Sequence, residues 1–408
     1  MRAVYLFIVT SVLLSCGKTS GPPGAGSHAL QEEALFTAYT TRIPGSNVEE
    51  QAILLTQTVY PATREDNAVG AIIVVPQDPH IAFTAMSRIT HMPVNAPLLY
   101  LSKDGHLSEQ TLREMKRLKP DGVFQDGRVD VYAVNVPAKE VKKIKEVLGY
   151  KVREFNEPNP VLLADLLDRW QGALKSDFAD EVTISAIDHP KGIQHGIGPM
   201  GWNAHKGKGF AWVYKDSIPP VTREILKRRY GKHGSYIYLT ASPDIISDNV
   251  AKELAQFGQV RRIFGKNIYE TNTVNAGYKD YGRNYGWWWN WVPRDYGWGI
   301  AQAGHNYIIL SADDVLGMIP AAVLGHMGKH GPILLVEKDS VPESVVRYLT
   351  MVKPFPTGAE ETILNFAWII GSKDKISAST QQEIDFLLSP FPRQSKREFA
   401  QADTLQKL

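Results

Sequence analysis

Three features are scarce in this sequence: cysteine, long apolar runs and an excess of one charge. Cys16 is the single cysteine, so no intramolecular disulfide can form and the hydrophobic core must hold the fold. Beyond the N-terminal segment, no apolar run approaches the about 20 residues that cross a bilayer. The 45 lysines and arginines nearly balance 43 aspartates and glutamates. This balance excludes a broad electrostatic attraction for nucleic acid, and we expect no nucleic-acid partner.

The N-terminus indicates export and lipidation. Arg2 precedes a short apolar run, residues 4–14, which is typical of a secretory signal peptide. Residues 13–16, Leu-Leu-Ser-Cys, resemble the lipobox of bacterial lipoproteins, in which the cysteine is acylated and becomes the mature N-terminus. The alternative is an ordinary signal peptide with an incidental cysteine. We expect residues 1–15 to be a signal peptide and Cys16 to carry a lipid that anchors the protein to a membrane.

Two segments flank the globular part of the chain. Residues 16–36 are rich in glycine, serine and proline and are predicted to form a flexible linker. Residues 392–408 are polar and charged, which is typical of a loose tail. The roughly 360 residues between them have an ordinary globular composition, which corresponds to two or three domains.

An internal repeat organises this globular part. An apolar run followed by Lys-Asp occurs three times, at Lys103-Asp104, Lys215-Asp216 and Lys338-Asp339. Such runs are typical of parallel strands buried on both faces. In two copies Lys-Asp continues with serine, an aliphatic residue and proline, and that proline suits the first turn of a helix.

A second strand and helix follow in each copy. We predict strands over residues 129–134, 236–239 and 366–370, and helices that begin near Ala138, Ser247 and Ser379. The repeated unit is therefore strand, helix, strand, helix, and it predicts an α/β fold with parallel sheets flanked by helices. Chance similarity among α/β segments is the alternative. The predicted units span residues 37–151, 152–262 and 263–391.

One motif resembles the cell wall-binding repeat 2 family. That family opens each repeat with Arg-Ile-x-Gly-(Lys/Ser)-(Asp/Asn)-Arg-Tyr-Glu-Thr-Ala, and residues 262–271 are similar, with Ile268 in place of the second arginine. Residues 41–47 give a shorter match, and the middle unit has only a weak counterpart at residues 150–156. Residues 331–335, Gly-Pro-Ile-Leu-Leu, resemble a later stretch of the family pattern.

The resemblance implies both an architecture and a role. It implies three Rossmann-like units that pack in a triangle, as a pseudo-threefold arrangement. It also implies a non-catalytic protein of the cell envelope that binds an envelope glycopolymer or a surface protein. Gly17, at the second mature position, resembles outer-membrane sorting, so we expect the protein at the outer membrane or cell surface rather than at the cytoplasmic membrane. Because fold alone does not fix function, the binding role is an analogy.

A tryptophan-rich segment, residues 278–298, has no counterpart in the generic repeat. Five of the nine tryptophans lie in it among glycines and asparagines, which indicates a loop. Exposed aromatic rings suit stacking on sugars, a protein interface or a membrane surface. The alternative is that these rings fill the gap where units pack together. The predicted binding residues are Tyr285, Trp287, Trp288, Trp289, Trp291 and Trp298.

The sequence predicts no catalytic site, no metal site and no cofactor. Residues 191–209 are rich in glycine but lack a dinucleotide-binding pattern after a strand, so we predict an irregular surface loop, with an anion cradle as the alternative. We expect the histidines to be dispersed or satisfied, because their spacings match no zinc motif. They include His189, His195, His205, His305, His326 and His330.

Two other functions stay open at this point. One is a periplasmic or surface α/β protein that binds a ligand, or acts as an enzyme, in the crevice at the carboxyl ends of the strands. The other is a structural subunit of a surface assembly that uses the tryptophan-rich segment as its contact.

Overall fold

A computed structural model describes ten stretches of the chain: residues 35–61, 68–175, 180–229, 235–280, 283–284, 292–293, 296–301, 304–327, 330–352 and 364–389. These residues form three four-stranded parallel sheets covered by helices, and a short two-stranded antiparallel ladder. The predicted α/β architecture of three similar units is confirmed. Within these stretches, every helix is too short or too polar to span a bilayer. The predicted signal peptide, Cys16 and the predicted tail lie outside the described residues.

The elements are numbered in chain order. The strands are β1 (Thr40–Ile43), β2 (Ile72–Val75), β3 (Leu98–Tyr100), β4 (Val131–Val134), β5 (Val152–Phe155), β6 (Glu181–Ala186), β7 (Gly209–Val213), β8 (Tyr236–Leu239), β9 (Gln259–Arg262), β10 (Arg283–Asn284), β11 (Val292–Pro293), β12 (Asn306–Ser311), β13 (Ile333–Val336) and β14 (Phe366–Ile370). The α-helices are α1 (Val48–Val59), α2 (Pro79–Ile89), α3 (Glu109–Leu118), α4 (Ala138–Lys143), α5 (Pro160–Lys175), α6 (Gly192–Lys206), α7 (Pro220–Arg229), α8 (Asp248–Leu254), α9 (Ile268–Gly277), α10 (Val315–Met318), α11 (Glu343–Met351) and α12 (Ala378–Leu388). A π-helical turn, Ile144–Leu148, extends α4, and a 3-10 helix, Ile319–Gly325, extends α10.

The three sheets share one topology. Their strand orders are β3-β2-β4-β5, β7-β6-β8-β9 and β13-β12-β14-β1. The strands that precede the Lys-Asp pairs, β3, β7 and β13, all occupy the same edge position. The second predicted strands, β4, β8 and β14, occupy the same inner position. The sequence repeat is therefore a repeat of structure, although β2 and β6, the first strands of two sheets, were not predicted.

The first strand of the chain completes the last sheet. β1 pairs in parallel with β14, and it holds the position that β5 and β9 hold in the other sheets. Residues 152–155 are hydrogen-bonded to the first sheet and residues 40–43 to the third. The predicted ranges had placed these strands in the second and first units. The pairing closes the three units into a ring, while the predicted division into domains stays a prediction.

Three helices meet at the centre of the ring. α2, α6 and the 3-10 extension of α10 contact one another, and they follow β2, β6 and β12, which hold the same inner position in their sheets. They end together, because the ring centroid of His326 lies 5.1 Å from that of His91 and 6.5 Å from that of His205. The N-terminal ends of all twelve sheet strands therefore lie at one end of the molecule, called the lower end here. Their carboxyl ends lie at the opposite, upper end.

The prediction of a glycine-rich surface loop is wrong, because these residues form α6, buried on the ring axis. A Cβ atom on Gly192 would lie 2.0 Å from the carbonyl oxygen of Ala186. One on Gly198 would lie 2.6 Å from Oδ1 of Asn272. Glycine is required at these positions because a side chain would push the helix away from closely packed neighbours.

A buried ion cluster joins the first two units. Asp168 of α5 is fully buried and accepts a hydrogen bond from Arg88 of α2 at 3.0 Å. Arg228 of α7 contacts the same carboxylate at 3.1 Å, and buried Arg229 donates to it as well. One carboxylate thus serves three guanidinium groups from two other helices.

Candidate functional site

The motif behind the family resemblance builds the start of a helix. The side chain of Asn267 accepts a hydrogen bond from the N–H of Glu270 at 2.9 Å, and the Glu270 carboxylate accepts one from the N–H of Lys266 at 2.7 Å. Asn267 is the N-terminal cap of α9, and the returning Glu270 bond reaches the residue before the cap, as in a variant of the capping box. The same two hydrogen bonds occur at the start of α1, where Asn47 accepts from the N–H of Glu50 and Glu50 accepts from the N–H of Ser46. The motif therefore has a structural role at the start of two helices.

The backbone on the two sides of the tryptophan-rich segment pairs in antiparallel fashion. β10 and β11 are antiparallel, and Asp280 and Tyr296 form a separate antiparallel bridge in the same register. The N–H of Gly299 also donates to the carbonyl of Tyr278 at 2.8 Å. Five predicted binding residues lie in the connection between β10 and β11 and are outside the described residues: Tyr285, Trp287, Trp288, Trp289 and Trp291.

Two tyrosines fix the root of this segment to the second sheet. The ring of Tyr296 stacks on that of Tyr238, with centroids 3.5 Å apart and planes within 4°. The Tyr296 hydroxyl lies 2.8 Å from Oγ1 of Thr183, and the Tyr238 hydroxyl donates to Asp280 at 2.9 Å. Burial raises the pKa of both tyrosine hydroxyls, so both stay neutral. Both ends of the segment are therefore held by hydrogen bonds and ring stacking.

Trp298 is the predicted binding residue that the structure describes, and it packs between units. Its half-buried ring stacks on His205, with centroids 5.1 Å apart, and meets Trp202 edge-on at 5.2 Å. For this one ring the structure therefore agrees with the alternative in which the aromatic rings fill space between packed units. Binding by Trp298, Tyr285 and the other four tryptophans stays a prediction.

Four histidines form a chain of ring contacts that reaches Trp298, whereas dispersed or satisfied histidines were predicted from the sequence. His91 pairs with His326, and His205 stacks on His330 with centroids 5.3 Å apart. His91, His205 and His326 each lie at the end of a central helix, so the fold brings together positions that are far apart in sequence. Among the described residues, no group of three or more histidine, cysteine, aspartate or glutamate side chains is arranged to hold a metal ion.

Two histidines of this cluster, His91 and His326, resist protonation. Burial lowers the pKa of His91 to about 4, and the positive charge of Lys175 adds to the effect. Burial also lowers the pKa of His326, with a smaller contribution from His330. In the folded protein these imidazoles are neutral near pH 7.

We expect acid to weaken the fold through this cluster. Because the folded-state pKa of His91 lies below the unfolded value of about 6.5, the unfolded chain binds more protons between these values. The stabilisation is complete above pH 6.5 and is lost as the pH falls toward 4. Thermal unfolding midpoints measured from pH 7 to pH 4 should fall, and His91→Gln should flatten this dependence. An unchanged slope in the variant would contradict the assignment.

A crevice at the upper end of the first sheet is a second candidate site. Its volume is about 450 Å³, and three prolines, two asparagines and Asp78 contribute to its walls. It lies beside β2 and β4, where the strand order reverses, which is where ligands bind in open α/β sheets. Asp78 already accepts hydrogen bonds from the N–H groups of His80 and Ile81, at 2.9 and 3.0 Å. The crevice contains no pair of acid and base groups suited to catalysis.

Fold and site together define a three-unit α/β ring with an aromatic segment rooted between two units. No family model and no curated protein matches the sequence. Solved structures with this fold include Cwp8 from Clostridium difficile, with 16% identity, a TM-score of 0.63, and coverage of 87% of this chain and 52% of that chain. Cwp6 from Clostridium difficile has 15% identity, a TM-score of 0.61, and coverage of 87% and 49%. The likeness shows the fold, and this chain spans about half the length of either protein.

Proposed function

We propose that this protein is a non-catalytic binding protein attached to the cell envelope. In this proposal it recognises an envelope glycopolymer, or a surface protein, through the tryptophan-rich segment. The observation that carries the proposal is the root of that segment, which the second unit holds on both sides: Tyr238 bonds to Asp280 and stacks on Tyr296, and His205 stacks on Trp298. The fold shared with Cwp8 and Cwp6, and the resemblance to the cell wall-binding repeat 2 family, support a role in the envelope.

The chemistry of the segment suits a glycan. Indole rings offer large apolar faces with an N–H at the edge, so they can pack on the C–H faces of sugar rings and still donate a hydrogen bond. A fixed root lowers the entropy lost when such rings are ordered on a ligand. Attachment through a lipid on Cys16, with residues 16–36 as the linker, would keep the protein at the outer membrane or cell surface.

Removing three indole rings tests the proposal. The variant carrying Trp287→Ala, Trp288→Ala and Trp289→Ala should bind envelope polysaccharides at least about tenfold more weakly than the unchanged protein, because buried tryptophans often contribute 2 kcal/mol or more each. Binding of the purified mature chain to a panel of envelope polysaccharides and to envelope fractions measures the effect.

The control removes aromatic rings from the upper end, through Tyr214→Ala and Phe264→Ala, and should bind normally. Equal binding by the triple variant and the control would exclude the tryptophan-rich segment as the site. A change from oligomer to monomer in the triple variant, measured by light scattering, would instead indicate a contact in a surface assembly.

A second candidate function is supported by the crevice of about 450 Å³ at the upper end of the first sheet. Its place at the reversal of strand order favours a small ligand, which would make this a ligand-binding protein or an enzyme. A thermal-shift screen with nucleotides and small metabolites tests this function, because a ligand that binds the folded state raises the unfolding midpoint.

A further inference from the structure

We infer that the crevice at the upper end of the first sheet holds a small ligand through a protonated amine, and that it excludes phosphate and nucleotides. This ligand class deepens the second candidate function and rests on it. The support comes from which hydrogen-bonding groups beside the crevice are already occupied and from the charge that its walls carry.

The backbone amides that would bind a phosphate are occupied. In open α/β sheets a phosphate binds in such a crevice to free N–H groups at the start of a helix. Here Oδ1 of Asp78 accepts hydrogen bonds from the N–H groups of His80 and Ile81, at 2.9 and 3.0 Å. Pro79, the first residue of α2, has no N–H. A phosphate at this place would lack donors and would meet a carboxylate of the same sign.

A second helix beside the crevice is capped in a similar way. α5 begins two residues after Pro158, which belongs to the walls. Oδ1 of Asn159 accepts a hydrogen bond from the N–H of Val161 at 2.9 Å. The first amides of both helices therefore donate to side chains of the protein itself rather than to a ligand.

The carboxylate at the start of α2 is not required by the fold. α2, α6 and α10 follow the equivalent inner strands of the three sheets. In the part of the chain that the structure describes, α6 and α10 begin without a side-chain cap, and Lys191 precedes α6. The acidic cap is thus particular to the first unit, which is also the unit of the crevice.

The walls are poor in hydrogen-bond donors. Three of the wall residues are prolines, whose backbone has no N–H. The side chain of Asn135 donates to the carbonyl of Glu157 and accepts from its N–H, both at 2.8 Å, so it is already satisfied. Within the described residues, Oδ2 of Asp78 accepts no hydrogen bond, since both bonds to this carboxylate end on Oδ1. A ligand must therefore supply the donors.

Asp78 also sets the charge of the crevice. None of the described wall residues is lysine, arginine or histidine. Burial lowers the pKa of the neighbouring His80 and outweighs the opposing effect of Asp78, so this imidazole is neutral near pH 7. Just beyond the walls in sequence, exposed Lys139 and half-buried Glu157 carry opposite charges. One carboxylate charge remains, and an ammonium group, which has three N–H donors and no acceptor, complements it.

The rest of the crevice suits a small carbon skeleton. Ile81, Val136 and the proline rings offer aliphatic surface, and the volume of about 450 Å³ is in the range of pockets for small organic molecules. Asn135 takes a left-handed backbone conformation, with φ of +52°, while its side chain ties two of the wall connections together. The walls are therefore formed in advance, which lowers the entropy lost on binding.

Matched probes test the charge of the ligand. Glucosamine and butylamine should bind the purified mature chain. Their uncharged counterparts, N-acetylglucosamine and N-butylacetamide, and the anions AMP and inorganic phosphate should not bind in the crevice. Ligand-detected NMR titrations measure the dissociation constants. Equal affinity for butylamine and N-butylacetamide would overturn the inference, and so would binding of AMP or phosphate in the crevice.

Three variants locate the binding. Asp78→Asn removes the charge but keeps the cap, because asparagine caps a helix about as well as aspartate. It should bind butylamine at least about tenfold more weakly, because a hydrogen bond to a charged group is lost. The control Asp216→Asn, which changes an exposed aspartate at the upper end of the second unit, should bind normally. Asn156→Trp puts a large ring into the crevice and should abolish binding. Unaltered thermal unfolding midpoints would show that the variants are folded, and equal affinities of Asp78→Asn and Asp216→Asn would contradict the assignment.

Failure of this inference differs from failure of the functions proposed above. If AMP or an uncharged sugar binds and Asn156→Trp blocks it, the crevice remains a ligand site and only the ligand class is wrong. If no compound of the panel or of the wider thermal-shift screen binds there, the second candidate function fails together with the inference. Binding of envelope polysaccharides through the tryptophan-rich segment is decided separately by the triple tryptophan variant.

Discussion

Replacing Asp168 by alanine should lower the free energy of unfolding by about 3–5 kcal/mol. The carboxylate is fully buried, and it is shared by Arg88 of α2 with Arg228 and Arg229 of α7. Removing it leaves buried guanidinium groups without their counter-charge, and this costs far more than the loss of one surface pair. Chemical denaturation followed by circular dichroism measures the change.

The control for this prediction is Glu109→Ala, which removes the exposed partner of Arg113 on α3. Exposed pairs contribute little, so its unfolding curve should stay close to that of the unchanged protein. Burial raises the pKa of Asp168, but Arg229 and Arg88 outweigh burial and hold it below the usual value. This stabilisation is present above about pH 4 and is lost as acid protonates the carboxylate. The loss therefore occurs at a lower pH than the loss that His91 causes. Similar losses for Asp168→Ala and Glu109→Ala would contradict the account.

Adding one methyl group on the ring axis should also destabilise the protein, by about 1–3 kcal/mol. In Gly325→Ala the new Cβ would lie 2.6 Å from the carbonyl oxygen of Gly201, so backbone of the third unit must move away from α6. Gly277→Ala is the matched control, because its Cβ would meet its nearest neighbour, a ring atom of Tyr348, at an ordinary 3.8 Å. A thermal shift comparison should show a lower midpoint in the first variant and little change in the second. Equal midpoints would mean that the two units are not in tight contact.

The repeat was predictable because polar residues mark it. A Lys-Asp pair after an apolar run identified β3, β7 and β13, and these strands hold one position in all three sheets. β2 and β6 carry no such mark, because they are buried on every residue and their neighbours in sequence vary. The place of β1 could not be predicted either, since pairing with β14 depends on contacts between the two ends of the chain.

The candidate site shows the same limit. Glycines suggested a loop between residues 191 and 209, but those in α6 allow close contact with Ala186 and Asn272, which only the folded chain brings near. Histidines at the ends of three central helices are separated by more than one hundred residues, so spacing along the sequence could not indicate a cluster. The tryptophan-rich segment was evident from composition, because it interrupts an otherwise regular unit.

The closure of the ring by β1 affects the order in which the protein can fold. A ribosome produces Thr40–Ile43 first, but the strand that receives it, Phe366–Ile370, is made more than three hundred residues later. The first two sheets can pair their own strands during that interval, whereas β1 must wait without a partner. Closing so long a loop costs only about 0.6 kcal/mol for each doubling of its length, so the delay is one of timing rather than of stability. Completion of the ring is therefore a late step of folding, reached only once nearly the whole chain has been synthesised.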